Sequence, residues 1–182
     1  MKELSLNILD ITENSVKAGA TLTEIVIEET DTALKLVIKD DGCGMSAETV
    51  KSVIDPFYTT RTTRKVGLGI PLLKLAAEQT GGSLEIVSEA RSEDGCHGTV
   101  VTASFFKNSI DFTPLGDVVS TITTLIQGHP DTDFLFRHKA KGGEVSLDTR
   151  ELRGVLGEVP LNSYEIIKWI EEYLREQYAD LK

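Results

Sequence analysis

Long hydrophobic runs are missing from this 182-residue chain, and cysteine, aromatic residues and positive charge are all scarce. No apolar stretch approaches the ~20 residues that a membrane-spanning helix needs. The N-terminal MKELSLNILDITENS is acidic and periodic, so it does not read as a signal peptide. Two cysteines, Cys43 and Cys96, are too few for a disulfide scaffold, and no CxxC spacing suggests zinc. These absences together predict a soluble protein of the reducing cytoplasm. Aromatics at 6% disfavour a base-stacking platform for single-stranded nucleic acid. With 19 Lys+Arg against 29 Asp+Glu the net charge is -10, which disfavours partners held by phosphate neutralisation, whether nucleic acid or an anionic membrane.

What is present suffices for a core: 40% of residues are hydrophobic, in a length that suits one domain, or a domain with an appendage. Leu4, Ile8, Ile11, Ser15 and Ala18 recur at helical spacing, predicting a helix from Lys2 to Ala18 that stops at Gly19. Thr23–Thr30 and Ala33–Lys39 alternate as two strands, with Ile25 and Ile27, and Leu34, Leu36 and Ile38, on their inner faces. Ser46 is placed to cap a short helix over Ala47–Ile54. Asp55–Val66 lacks periodicity and reads as a loop. A helix over Leu68–Thr80, with Pro71 in its first turn, and strands over Ser83–Glu89 and Thr99–Phe106 follow. The order α-β-β-α-loop-α-β-β predicts an α+β fold, a two-layer sandwich with helices on one face of a mixed, mostly antiparallel sheet. Beyond a connector at Lys107–Pro114 we expect a helix near Leu115–Gln127, a hairpin over Phe134–Leu147 turning at Gly142-Gly143, and helices near Thr149–Leu156 and Ser163–Tyr178. Residues 109–182 thus form a small C-terminal α/β region after a first unit at residues 1–108.

Three groups of residues carry chemistry. Asp10 and Asn14 lie one turn apart on the first helix, with Lys17 on the same side; a carboxylate and a carboxamide so placed suit orienting a water and completing a metal's oxygen shell, or simply a solvated face. Asp40-Asp41-Gly42-Cys43-Gly44-Met45 follows a strand, and its spaced glycines allow either an ordinary turn or close approach to a ligand. Val66-Gly67-Leu68-Gly69-Ile70-Pro71 opens a helix, where free N–H groups favour anions. No GxxxxGK[ST] occurs, and Leu72 stands where a dinucleotide fingerprint needs glycine. Arg61, Arg64 and Lys65 make the preceding loop basic, as a lid over phosphates would be, or merely solvated.

In order and spacing, Asp-x-x-x-Asn, DxGxG, DPFYTTR, GLG and Gly98-Thr99 resemble the GHKL superfamily of DNA gyrase, heat-shock chaperone ATPases, histidine kinases and MutL. ENSVKAGAT at Glu13–Thr21 is similar to the MutL N-box, and DPFYTTR to the phenylalanine box of histidine kinases. The resemblance covers roughly Lys2–Phe106 and implies the Bergerat fold with an ATP site. It implies that Asp40 binds the adenine amine, that Gly44 shapes the pocket and that Thr99 joins the hydrogen bonds around the base. Asn14 would coordinate Mg²⁺, Arg61, Arg64 and Lys65 would belong to the lid, and Gly67 and Gly69 would offer amides to phosphates. Further nucleotide contacts are implied at Lys17, Gly42, Met45, Phe57, Thr60, Leu68 and Ile70. Asp10 stands where gyrase, MutL and the anti-sigma kinases carry a glutamate general base. It is one methylene shorter, and a misplacement of ~1 Å costs ~100-fold in rate. Glu13 is a second carboxylate, set farther round the helix.

Of the histidines, His97, His129 and His138, none sits as a phosphoacceptor on a dimerising helix before the ATP site. The resemblance therefore leaves three outputs: an ATPase switch for a protein partner, a kinase acting in trans on Ser or His of another protein, or a non-catalytic nucleotide sensor. Residues 109–182 hold 13 acidic against 8 basic side chains, which disfavours a DNA-binding use of the helices at Thr149–Tyr178. On the last helix Tyr164, Ile167, Ile170 and Leu174 form a stripe expected to pack inward.

Overall fold

The computed structural model describes residues 3–55, 68–91 and 97–181. Helix α1 (Leu4–Lys17) forms where the apolar stripe foretold it, and the stripe is its buried side: Leu4, Ile8, Ile11 and Ser15 are at most 3% exposed. Strands β1 (Leu22–Glu29) and β2 (Ala33–Asp40) pair antiparallel through a tight connection in which Thr30 N–H donates to the Ala33 carbonyl at 2.8 Å. Helix α2 (Ala47–Ile54) starts at Ser46, whose Oγ accepts the Thr49 N–H at 3.2 Å. Helix α3 (Gly69–Gln79) and strands β3 (Ser83–Glu89) and β4 (Gly98–Phe106) complete the first part; of the loop expected over Asp55–Val66, only Asp55, the C-cap of α2, lies within the described residues.

Helix α4 (Val118–Gly128) begins three residues later than its periodicity suggests. The reason is tertiary. The Pro114 and Leu115 carbonyls accept the Leu4 and Ser5 N–H groups, so this backbone caps α1 instead of extending α4, and Asp117 caps α4 by accepting the Ser120 N–H. Strands β5 (Asp133–Ala140) and β6 (Gly143–Asp148) form the hairpin, followed by α5 (Thr149–Leu156) and α6 (Tyr164–Asp180).

The six strands among the described residues form one sheet in the order β3-β4-β2-β1-β5-β6, antiparallel except where β5 lies parallel to β1. The C-terminal residues therefore continue the sheet of the first part. A single core joins Leu73 of α3, Ile122 of α4 and Leu174 of α6 to inward residues of the sheet such as Ile25, Leu36, Phe105 and Phe136. The opposite face carries charge, including a Lys39–Glu24 ion pair at 3.2 Å. This is the α+β sandwich that the element order implies, consistent with the Bergerat fold. Of the last-helix stripe, Ile170 and Leu174 are buried and Ile167 partly so, but Tyr164 is 78% exposed and does not pack inward. No helix among the described residues is long and apolar enough to cross a membrane.

Candidate functional site

At the end of β2, Asp40 pairs in register with Thr23 of β1 and Thr99 of β4, so three polar side chains form one row facing the helices. Ser15 of α1 donates to Asp40 Oδ2 at 2.8 Å, and the Gly42 N–H donates to Oδ1 at 2.9 Å. Each carboxylate oxygen keeps acceptor capacity, because an ionised carboxylate has about four lone-pair sites. The group is oriented rather than consumed. Its neighbour Asp41 is spent on structure: it accepts the Thr21 and Leu22 N–H groups at 2.7 and 2.9 Å and the Thr21 hydroxyl. Burial works to raise the Asp41 pKa, but those hydrogen bonds outweigh it and hold the carboxyl below its ordinary value.

The loop after Asp40 is pinned from three sides. Gly44 has φ +65°, and a Cβ there would coincide with the Glu89 carbonyl, so only glycine fits. The Met45 N–H donates to Ser88 Oγ at 2.8 Å, Ser88 donates to the Gly98 carbonyl at 3.0 Å, and Thr99 Oγ1 lies 2.8 Å from Ser88 Oγ. His97 Nδ1 donates to the Gly42 carbonyl at 2.6 Å.

The other end of the site lies between α1 and α3. Asp10, Asn14 and Lys17 are exposed on one side of α1. Gly69 opens α3 directly against Asp10: a Cβ on Gly69 would stand 3.1 Å from Asp10 Cβ and 3.6 Å from Oδ2. A helix's first N–H groups have no intrahelical acceptor and sit at its positive end, so the arrangement sets a carboxylate beside anion-binding backbone. Ile70 is buried and Leu68 is exposed. Glu13 is engaged elsewhere, with His129 Nε2 2.7 Å from its Oε1.

The structure thus gathers Asp40, Gly42, Gly44, Met45 and Thr99 at one end, where Lys17 precedes Ala18 beside Gly42, and sets Asp10 against Gly69, flanked by Leu68 and Ile70, at the other, with Asn14 between them on α1. Phe57, Thr60, Arg61, Arg64, Lys65 and Gly67 lie outside the described residues. Among the described residues no three His, Cys, Asp or Glu side chains cluster to hold a metal. Ser15, Ser88 and His97 support the site without having been expected there. A lone serine in an apolar stripe was a usable signal for Ser15; nothing in sequence distance points to Ser88 or His97.

The family described as histidine kinase-, DNA gyrase B-, and HSP90-like ATPase matches residues 2–109. The tetrathionate sensor histidine kinase TtrS of Salmonella typhimurium is 33% identical over 92 residues, which are 50% of this chain and 15% of that protein. Sensor protein SrrB of Staphylococcus aureus is 32% identical over 94 residues, 49% of this chain and 16% of its own. The chain therefore spans only a small part of these relatives. Among solved structures, the Aquifex aeolicus MutL ATPase domain complexed with ADP superposes at TM-score 0.52 with 17% identity, covering 97% of this chain and 70% of that one. The N-terminal domain of a DNA repair protein superposes at 0.53 with 16% identity, covering 81% and 52%. At such identities the likeness concerns the fold alone.

Proposed function

The chain belongs to the histidine kinase-, DNA gyrase B- and HSP90-like ATPase family, and on that premise we propose that it binds Mg-ATP between α1, α3 and the Asp40 loop, as a phosphoryl-transfer switch addressed to a protein partner. The observation that carries this reading is the Asp40 carboxylate, fixed by Ser15 and Gly42 with acceptor capacity to spare. Asp40 accepts a hydrogen bond from the exocyclic amine of adenine, and Thr99, opposite it on β4, supports the base edge. A guanine, with a carbonyl in place of that amine, would set oxygen against carboxylate. When bound, Mg-ATP supplies the transferable γ-phosphoryl group. Asn14 would hold the magnesium through its carboxamide oxygen, a donor that suits a hard, oxygen-seeking ion. The amides of Gly69 and Ile70 at the start of α3 face the phosphates. Lys17, Gly42, Gly44, Met45 and Leu68, with Phe57 and Thr60, would make the remaining nucleotide contacts, Arg61, Arg64 and Lys65 would belong to the lid, and Gly67 would offer its amide to the phosphates. Asp10 takes the proton of the attacking group, and the missing Cβ of Gly69 is what lets α3 come close to this shorter base.

The sensor histidine kinases among the relatives favour transfer to a protein over simple hydrolysis as the second reading. The net charge of -10 and the lack of a long apolar helix among the described residues support a cytoplasmic setting without nucleic acid or membrane as partner. Thermal stabilisation tests the premise: Mg-ATP at ~100 times its Kd should add ~2.7 kcal/mol, while GTP adds nothing. A flat response to both nucleotides would overturn the reading. Incubation with γ-labelled ATP then separates outputs: released phosphate marks an ATPase, label on a co-purified protein a kinase, and neither a sensor.

A further inference from the structure

Helix α6 has two faces of opposite character. Ile170 and Leu174 are fully buried, while Glu165, Trp169, Glu172, Tyr173 and Glu176 recur at i, i+4, i+7, i+8 and i+11 and are all exposed. Trp169 and Tyr173 stack on each other with centroids 5.0 Å apart and ring planes at 9°, yet remain 45% and 38% exposed. The stripe is negative. Glu165 and Glu176 form no ion pair among the described residues, and the two bases of this helix are engaged, Lys168 with Glu172 at 3.9 Å and Arg175 with Glu171 at 2.8 Å. Two π-faces flanked by unpaired carboxylates form a receptor for a guanidinium or ammonium group: indole is the best cation–π platform among side chains, and the carboxylates add the complementary field.

We propose that this outer stripe of α6 docks a Lys- or Arg-bearing segment of a protein partner. A second copy of this chain would set the same carboxylates against each other across a two-fold axis, and polyanions are repelled by them. The proposal does not rest on ATP binding.

Trp169 is the only tryptophan, so its emission reports directly on the stripe. The full chain is titrated with a synthetic amphipathic Leu/Arg peptide and with its counterpart carrying Glu at every Arg position. A saturable emission change with the Arg peptide alone is expected. Tyr173→Ala should weaken binding ~3- to 5-fold, and Glu165→Gln with Glu176→Gln ~10-fold in dilute salt, where screening is least. The pair Glu48→Gln with Glu85→Gln, removing the same charge elsewhere, should leave affinity unchanged; unchanged melting temperatures establish that each variant is folded. Equal loss in the control pair would reduce the effect to bulk charge and overturn the proposal. So would no response to the Arg peptide, or a dimer in sedimentation that Trp169→Ala dissociates.

Discussion

Asp40 and Asp41 are adjacent and chemically identical, and the fold gives them separate work. Asp40 faces α1, where Ser15 and Gly42 orient it, whereas Asp41 turns toward the start of β1 and ties down Thr21 and Leu22. Exchange to asparagine should separate them. Asp40→Asn replaces half the acceptor with a donor, so it should abolish the thermal shift with Mg-ATP while leaving the melting temperature of the nucleotide-free protein close to normal. Asp41→Asn should do the reverse, costing ~1–3 kcal/mol of stability, since Asp41 accepts charge-assisted bonds; denaturant melts check it. Asp10→Asn should retain nucleotide affinity and lose turnover ~100-fold or more, measured as phosphate release or protein labelling. Undiminished turnover would move the base role elsewhere.

Among the elements, α6 is the one whose position matters most beyond its own packing. It lies along β6, an edge strand of the sheet, and Gln177 stands in for a missing neighbour: its Oε1 accepts the Ser146 N–H at 3.0 Å and its Nε2 donates to the Ser146 carbonyl at 3.1 Å. Edge strands with free backbone groups invite pairing with other chains, and this contact blunts one. Gln177→Ala should cost ~1–2 kcal/mol in denaturant unfolding and raise aggregation on heating. Periodicity alone placed nearly every element, because amphipathic helices and alternating strands announce their buried faces. The start of α4 escaped it, since Pro114 and Leu115 are drawn off to cap α1, a contact between residues far apart in sequence.

Taken whole, the molecule joins its earlier and later elements through a partly buried polar chain centred on His138. His138 of β5 is 3% exposed; its Nε2–H donates to Glu29 of β1 at 3.1 Å, and its Nδ1 accepts from the Tyr178 hydroxyl of α6 at 2.8 Å. The second Glu29 oxygen takes Lys107 at 2.5 Å. Burial holds the His138 pKa below its ordinary 6.5, against the opposing pull of Glu29, and burial pushes the Tyr178 hydroxyl upward. The folded state thus prefers a neutral imidazole and binds fewer protons than the unfolded chain below pH 6.5. Stability from this group is therefore fully present above pH 6.5 and is lost as the pH falls below it. Melting temperatures taken from pH 8 to 5 should show this acid decline, shallower in His138→Gln than in the parent; identical slopes would remove His138 as the cause.

By itself the sequence determined the α+β class and the inner faces of the strands, because these depend on spacing within single elements, and the order of its motifs carried the resemblance to the family. Only the tertiary structure decided that residues beyond 108 extend the same sheet through a parallel β1–β5 pairing, since hydrogen-bonded register between distant strands leaves no periodic trace. It alone showed that Ser15 holds Asp40, that Glu13 turns to His129, and that Gly69 brings α3 against Asp10. Each is a contact across the chain, set by how helices pack on a sheet rather than by any local pattern.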